Sequence, residues 1–318
     1  HIDPKNPRWE DRDWFVLSKG HGGPVMYATL GLKGYYPMES AYTLNQPNTN
    51  FPAHTDRSKT SGVDLTTGSL GQGMSEAIGA ALGNRAQNRP SRVYVAVGDG
   101  ECDEGQIWEG AQFAAHYKLD NLTFMLDYNK LQIDGSNDEV MSLGNIVKKF
   151  DAFGFECFEV DGHDMDAIVA ALKAPVSGKP KFICCNTVKG KGVSFMENQV
   201  GWHGKAPNQA ELSQAVRMRL IRKAVWKAAG ACKDITAAHL QAVADLLEKQ
   251  TGRYVKLPYG LTATRVYNVI EIMGKRKETE KICLPIDTDR LPENLLAGEW
   301  KFSFKKFLYD GNTDKIHR

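Results

Sequence analysis

The sequence lacks the features that mark several protein classes. No apolar run approaches the ~20 residues that a membrane-spanning helix requires, and no secretory signal is recognisable. We therefore expect a cytoplasmic protein without a membrane attachment. The six cysteines are scattered and form no CxxC pair, so free thiols are indicated rather than a disulfide framework or a zinc site. Internal repeats and low-complexity tracts are also absent, which leaves an ordinary globular chain.

Charge is distributed unevenly along the 318 residues. Residues 1–215 carry 20 basic and 26 acidic side chains, whereas residues 216–318 carry 20 basic and 12 acidic ones. The net charge therefore changes from −6 to +8 between the two parts. A change of this size indicates two unlike segments, of which the second favours polyanions.

Strand-like and helix-like stretches alternate in the first segment. Apolar runs rich in β-forming residues alternate with helical periodicity; the runs are 92–97, 122–128, 155–160 and 181–185, and the helical stretches are 71–87, 104–117 and 164–173. This alternation predicts an α/β fold with a doubly wound parallel sheet. The nearly continuous apolar runs agree with strands that are covered on both faces. At the last helix, His163 and Asp164 are both candidate caps.

Two polar residues follow strands that we expect to be neighbours. Asp99 stands between Gly98 and Gly100 directly after "VYVAV", and Asn129 ends the next apolar run 30 positions later. This spacing fits two adjacent parallel strands joined by a crossover helix, so both side chains should face one crevice. An exposed carboxylate, an amide oxygen and the Leu131 carbonyl would suit a hard cation bound to a diphosphate. Gly-Asp-Gly also occurs in ordinary turns, so the triplet alone does not decide between the two interpretations.

Five stretches together resemble one family. Gly-Asp-Gly followed by 28 residues and Asn is similar to the thiamine diphosphate binding motif. The surrounding motifs resemble the transketolase family, and more narrowly the amino-terminal subunit of split, two-gene transketolases; they are "DRDWFVLSKGHGGPVMYA", "TTGSLGQGMSEAIGAAL", "GDGECDEGQIWEGA", "NKLQIDG" and "KGKGVSFMEN" with "WHGKAP". The resemblance covers about residues 1–215 and keeps the family order of the motifs.

The resemblance implies a cofactor and the residues that hold it. Thiamine diphosphate would be bound through Mg²⁺ (or Ca²⁺), with Asp99, Asn129 and the Leu131 carbonyl as metal ligands. Further cofactor contacts would come from residues in the matched motifs, namely His21, Gly68, Leu70, Gly98, Gly100 and His203.

The resemblance also implies catalytic roles. His203 would act at the reacting centre, His54 would handle protons and hydroxyls of the sugar, and Glu104 would belong to a proton relay at a subunit interface. Local sequence alone also permits a different interpretation of the acids Glu101, Asp103, Glu104 and Glu109, as the solvated first turn of a helix. Lys189 and Lys191 in "KGKG" are candidate active-site loop residues.

The implied activity is transfer of a two-carbon ketol unit from a ketose phosphate to an aldose phosphate, in the pentose phosphate pathway. Another enzyme of this branch, such as a 1-deoxyxylulose-phosphate synthase, is the alternative. The resemblance implies that an amino-terminal segment of the family is missing before His1. It also implies that the pyrimidine-binding module is a separate carboxy-terminal subunit. We therefore expect a homo- or hetero-oligomer, typically a dimer, and no turnover by this chain alone.

The second segment resembles a different family. "DIT..H...V..LL" and "TG..V.LP.GL...R.Y" between residues 216 and 273 are similar to tRNA(Ile)-lysidine synthases, whose catalytic phosphate loop does not occur here. We interpret residues 216–318 as a small α+β fragment joined near Ala215–Val216. A tRNA contact through this basic tail is the less favoured function, because a basic solvated surface explains the same charge.

Overall fold

The computed structural model describes residues 1–267 and 269–274, together with the backbone of two short strands at 294–297 and 300–303. These residues belong to two compact units, His1–Ile221 and Arg222–Arg318. The junction near Ala215–Val216 stays a prediction, as does the tRNA(Ile)-lysidine synthase-like character of the tail. Most of residues 275–318 of this tail lie outside the described residues.

The first unit is built on a parallel sheet of five strands in the order β1-β2-β3-β5-β4. The strands are β1 (Trp14–Leu17), β2 (Val93–Gly98), β3 (Leu122–Tyr128), β4 (Glu156–Asp161) and β5 (Lys181–Asn186). The helices are α1 (Gly23–Lys33), α2 (Gln72–Ala86), α3 (Gly105–His116), α4 (Asn137–Val140), α5 (Ile146–Phe153) and α6 (Met165–Lys173). The α/β fold class is confirmed, and every predicted strand and helix of this unit ends within one residue of its observed bounds.

Both faces of the sheet are buried, as the continuous apolar runs indicate. In β5, Phe182 and Cys184 pack into the main core, whereas Ile183 and Cys185 pack against α6 and β4 on the other face. Alternate residues of a strand point to opposite faces, so both sets are apolar only where helices cover the sheet on both sides. The strand β4 is less buried because it has a single neighbour at the edge of the sheet.

An aspartate side chain caps the start of the helix that follows β4. Of the two candidate caps, Asp164 is the N-cap of α6, and its carboxylate accepts hydrogen bonds from the N–H groups of Asp166 and Ala167 at 3.0 and 3.1 Å. His163, the other candidate, precedes the N-cap and does not cap this helix. Four of the strands and helices named above were not predicted as such: β1, α1, α4 and α5.

The second unit combines helix and antiparallel strand, which agrees with the predicted α+β character. Helix α7 (Gln209–Ala229) contains the boundary between the units, and α8 (Ala237–Ala244) begins with a capping box of Thr236 and His239. An antiparallel sheet follows in the order β6-β7-β8, with strands Tyr254–Lys256, Thr262–Val266 and Val269–Met273. A further antiparallel pair joins β9 (Asn294–Ala297) and β10 (Trp300–Ser303).

Two negative expectations concern the described residues. No helix among them has the length and apolar character of a membrane span. Five of the cysteines are free thiols, and the sixth, Cys283, lies outside the described residues.

Candidate functional site

A cavity of about 750 Å³ opens where the parallel strands of the first unit end. Its walls come from the ends of β1, β2 and β3 and from the loops after β3 and β5. This volume lies within the range of roughly 300–1,000 Å³ that is usual for small-molecule sites. The position agrees with the rule that ligands of open parallel sheets bind beyond the carboxyl ends of the strands.

Asp99 enters this cavity from the end of β2. It begins a short 3-10 turn, and its carboxylate accepts hydrogen bonds from the N–H groups of Gly100 at 2.9 Å and Lys130 at 2.5 Å. The expectation of an exposed carboxylate is wrong, because Asp99 is only 2% exposed. Burial raises the pKa of Asp99, although the two N–H donors and the nearby Asn137 amide oppose the rise. A carboxylate in this setting gains much from a nearby cation.

Asn129 and Leu131 lie on the neighbouring strand end, in the same cavity wall as Asp99. The register of the parallel pair places Gly98 beside Asp127, so the residues after both strands meet. Asn129 Oδ1 accepts a hydrogen bond from the Leu131 N–H at 3.1 Å. The tight turn is made by Lys130, whose backbone lies in the left-handed region with φ of 66°.

These oxygens fit a divalent cation that shares a ligand's phosphate. One carboxylate, one amide oxygen and one main-chain carbonyl are hard donors, which Mg²⁺ prefers, and Mg²⁺ commonly completes its shell with phosphate and water. Within the described part of the chain, no cluster of three or more His, Cys, Asp or Glu side chains could bind a metal by itself. Asn137 is buried beside this site, and neither its Nδ2 nor its Oδ1 has a hydrogen-bond partner of good geometry. The Asn137 amide is nevertheless close enough to Asp99 to favour its ionised form.

Three histidines predicted from the motifs line the cavity: His21, His54 and His203. The rings of His21 and His203 lie 5.1 Å apart. Partial burial, followed by the charges of His203 and Lys19, lowers the pKa of His21 to about 4. Burial and the charge of Lys189 also lower the pKa of His203. Both rings are therefore neutral near pH 7 and can donate or accept one proton each.

Lysines add positive charge to the same cavity. Lys19 forms an ion pair with Asp127, which also accepts a hydrogen bond from the Thr187 hydroxyl. Lys189 lines the cavity, and its Nζ lies 3.5 Å from His203 Nδ1. Burial lowers the pKa of Lys189, with the charge of Lys19 as the next cause. The same lining contains four carboxylates, Asp99, Glu101, Asp127 and Asp134, so the cavity carries charges of both signs, and an anionic ligand would need a bound cation as well as the lysines.

The remaining predicted residues are divided between the cavity and the surface. Gly68, Leu70, Gly98 and Gly100 line the cavity. Glu104 and Lys191 are exposed and do not line it.

Of the four acids Glu101, Asp103, Glu104 and Glu109, the one that lines the cavity is Glu101, which is 2% exposed. Sequence reasoning also missed Lys19, Asp127 and His163, all of which line the cavity. Lys19 was detectable, because it stands in the matched motif "SKGHGGP" directly after β1.

A cavity with hard oxygen donors, lysines and histidines at the ends of parallel strands is typical of α/β proteins that bind phosphorylated ligands. The family described as "Transketolase, thiamine diphosphate binding domain" matches residues 1–230. The chain therefore belongs to the transketolase family, and this part of it is the thiamine diphosphate binding domain.

Curated relatives agree with this assignment. The 6-deoxy-6-sulfo-D-fructose transketolase subunit SqwG from Clostridium sp. (strain MSTE9) is 51% identical over 204 residues, which cover 64% of this chain and 74% of that protein. An apulose-4-phosphate transketolase subunit from Actinobacillus succinogenes is 39% identical over 215 residues, covering 67% of this chain and 78% of that protein. The predicted class, a subunit of a transketolase and thus a transferase, is confirmed.

A solved structure shows the same fold in a longer enzyme. Transketolase from Campylobacter jejuni matches 82% of this chain with 28% identity and a TM-score of 0.59. The matched part makes up 46% of that transketolase. The chain therefore spans about half the length of the solved transketolase that it resembles.

Proposed function

We propose that this chain is the diphosphate-binding subunit of a two-subunit transketolase, and that a second polypeptide supplies the pyrimidine-binding module. The observation that carries the proposal is the meeting of Asp99 and Asn129, from adjacent strand ends, in a cavity that is also lined by Lys19 and Lys189. A cation between these two side chains would hold a diphosphate, Lys189 would offset part of its remaining charge, and the neutral histidines could donate hydrogen bonds to it.

Each residue near the cation has a distinct task in this proposal. Asp99 and Asn129 bind Mg²⁺ through side-chain oxygens, and Leu131 through its carbonyl. Gly100 lines the cavity and lets the chain pack closely on Gln132, because a Cβ at this position would lie 3.0 Å from Gln132 Cγ. Gly68 lines the same cavity beside His54, whose ring carbon would lie 3.4 Å from an added Cβ. Bound thiamine diphosphate supplies the carbon centre that takes up the two-carbon ketol unit.

The histidines are the proposed proton carriers. His21, His54 and His203 face the cavity from separate segments of the chain. Because His21 and His203 have lowered pKa values, they remain neutral at physiological pH and can hold one proton at one ring nitrogen. His54 would hold or move a proton at a sugar hydroxyl. Glu104, which is exposed, is proposed to act at an interface with a second subunit.

The substrate is proposed to be a ketose with an acidic group at its far end. The two relatives are named for a sulfonated fructose and for apulose 4-phosphate, and both sugars carry such a group. A sugar phosphate or a sulfonated sugar is therefore the donor class to test, whereas the pentose phosphate pathway stays a prediction. Activity with fructose 6-phosphate and with 6-deoxy-6-sulfofructose should be compared after the chain is mixed with a candidate partner subunit.

Titration calorimetry of the full chain with thiamine diphosphate and Mg²⁺ tests the proposed site. Asp99→Ala should weaken binding by roughly 100-fold or more, because losing a metal ligand should cost at least as much as losing an outer-shell partner. Asn129→Ala should act in the same direction. Asp103→Ala is the matched control, since Asp103 is exposed and does not line the cavity.

Equal affinity for wild type and Asp99→Ala would contradict the metal site. Absence of binding by the wild-type chain, even with the partner subunit present, would contradict the proposed function as a whole.

A further inference from the structure

The turn between β4 and α6 presses closely on the segment that follows β5. The Gly162 N–H donates a 2.7 Å hydrogen bond to the Asn186 carbonyl. A Cβ at Gly162 would lie 2.4 Å from Thr187 Cγ2 and 3.0 Å from the Asn186 oxygen. Heavy atoms cannot approach so closely, so this contact between the two turns requires glycine.

His163 extends this contact with its side chain. The backbone N–H of His163 donates a hydrogen bond to Asp161 Oδ1 at 2.9 Å, and the next residue, Asp164, caps α6. The imidazole Nε2 accepts a 2.7 Å hydrogen bond from the Val188 N–H. An amide N–H can only donate, so Nε2 must be unprotonated and the ring must carry its proton on Nδ1. His163 is therefore an acceptor in this contact and is neutral while the contact exists.

The hydrogen-bonded amide directly precedes a residue of the cavity. Val188 is followed by Lys189, whose Nζ lies 3.5 Å from His203 Nδ1. One residue earlier, Thr187 is held by its N–H to the Tyr128 carbonyl at 3.0 Å and by its hydroxyl to Asp127. The segment is thus fixed from β3 at Thr187 and from the turn after β4 at Val188. These two attachments set the direction in which Lys189 leaves the loop.

We propose that His163 is a positioning residue, which holds the Val188 amide so that the Lys189 ammonium faces the anionic ligand of the cavity. The four residues Asp161–Asp164 then act together. The Asp161 carboxylate fixes the His163 backbone, and Gly162 permits the close approach of the two turns. The His163 imidazole accepts the hydrogen bond from the Val188 N–H, and Asp164 caps α6. This role rests on the proposed function, because it concerns the ligand diphosphate. His163 itself transfers no proton and binds no metal in this proposal.

The test compares two substitutions that differ in acceptor capacity. His163→Leu removes the acceptor, whereas His163→Gln places a carbonyl oxygen at a similar reach. The full chain carrying each substitution is examined in two ways: by hydrogen exchange of the Val188 amide without ligand, and by calorimetry with inorganic pyrophosphate and Mg²⁺. His116→Leu is the matched control, since His116 is a histidine of α3 outside the cavity lining.

The expected result is a local change with a measurable effect on affinity. His163→Leu should speed exchange at Val188 and weaken pyrophosphate binding by roughly three- to tenfold, the value of one hydrogen bond. His163→Gln should restore most of both, and His116→Leu should change neither. The amide of Ile168, inside α6, should exchange at the wild-type rate in every variant, because a purely structural role would alter the helix as well. Gly162→Ala, which displaces the turn with the imidazole intact, should reproduce the His163→Leu effects.

Three outcomes would overturn the inference. The first is unchanged Val188 exchange in His163→Leu, and the second is faster exchange without any loss of pyrophosphate affinity. The third is a His163→Gln protein that behaves like His163→Leu. A wild-type chain that binds neither pyrophosphate nor thiamine diphosphate would instead overturn the proposed function, while the exchange measurement still decides whether His163 holds the Val188 amide.

Discussion

The carboxylate of Glu101 accepts a 2.8 Å hydrogen bond from the N–H of Gly71. The same oxygen also accepts a hydrogen bond from the Ser18 hydroxyl, and the other carboxylate oxygen accepts one from the Gly98 N–H at 3.1 Å. Gly71 is the N-cap of α2, where unpaired N–H groups and the helix dipole favour a negative charge. One buried side chain thus joins the ends of β1 and β2 to the start of α2, directly behind Asp99.

Replacing Glu101 with glutamine should destabilise the first unit. A glutamine has one acceptor oxygen, so at least one of the backbone N–H groups of Gly71 and Gly98 would face an amide NH₂. Leaving a buried donor unsatisfied costs about 1–3 kcal/mol. Urea unfolding of Glu101→Gln should show this loss, and Glu109→Gln, an exposed change on α3, should stay within about 0.5 kcal/mol of wild type. Equal stability of both variants would show that the Glu101 hydrogen bonds contribute little.

Two glycines of α2 should respond in opposite directions to alanine. A Cβ at Gly73 would lie 2.5 Å from Ser18 Oγ and 2.7 Å from Ser18 Cα, so Gly73→Ala should cost about 1–3 kcal/mol by overpacking. Gly79 has open space around it, and Gly79→Ala should stabilise the helix by about 0.5–1 kcal/mol. Thermal unfolding of the two variants gives the comparison. A gain of stability in Gly73→Ala would contradict the close packing of α2 on the end of β1.

Lys181 should be needed for stability, not for ligand binding. It is buried, and its Nζ donates to the carbonyls of Ala171, Leu172 and Ala174 at the end of α6, at 2.7–2.8 Å. Burial lowers its pKa, with the charge of Arg92 as a further cause. Lys181→Met should cost about 3 kcal/mol by leaving these carbonyls without a donor. Chemical denaturation checks this, with exposed Lys179→Met as the control; a shared small effect would refute the capping role.

His21 should make stability depend on pH in the acid range. Its pKa is about 4 in the folded chain, against 6.5 for an unperturbed histidine side chain, so the unfolded state binds more protons between these values. The free energy of unfolding should therefore rise with pH from about 4 to 6.5, and this contribution should be complete above 6.5. His21→Gln should flatten that part of the stability curve. An NMR titration of the wild-type ring that gave a midpoint near 6.5 would contradict the lowered pKa of His21.

The elements of the first unit were predictable because their signals are local. Each of the strands β2 to β5 is a short apolar run, and the helices between them show regular periodicity. The spacing of Asp99 and Asn129 also predicted that both residues face one crevice, since a strand, a crossover helix and the next strand together have a narrow range of lengths. The strand β1 was missed because it has only four residues, and its pairing partner begins 79 positions later.

Local patterns could not separate Glu101 from the other acids after Asp99. Its burial depends on Ser18 and Gly71, which lie 83 and 30 positions away in the chain. The same applies to His163, whose imidazole resembles a helix cap in the sequence and meets Val188 only because β4 lies beside β5.

Residue types and spacing were therefore sufficient for the fold class and for the pair Asp99 and Asn129, and the resemblance of five motifs was sufficient for the family, because each depends on a short segment or on the length of a connection. Only the tertiary structure decided which carboxylate is buried, which lysines face the cavity and which turn supports the loop after β5. Those features depend on strand order, which is set by packing between segments that the chain keeps far apart.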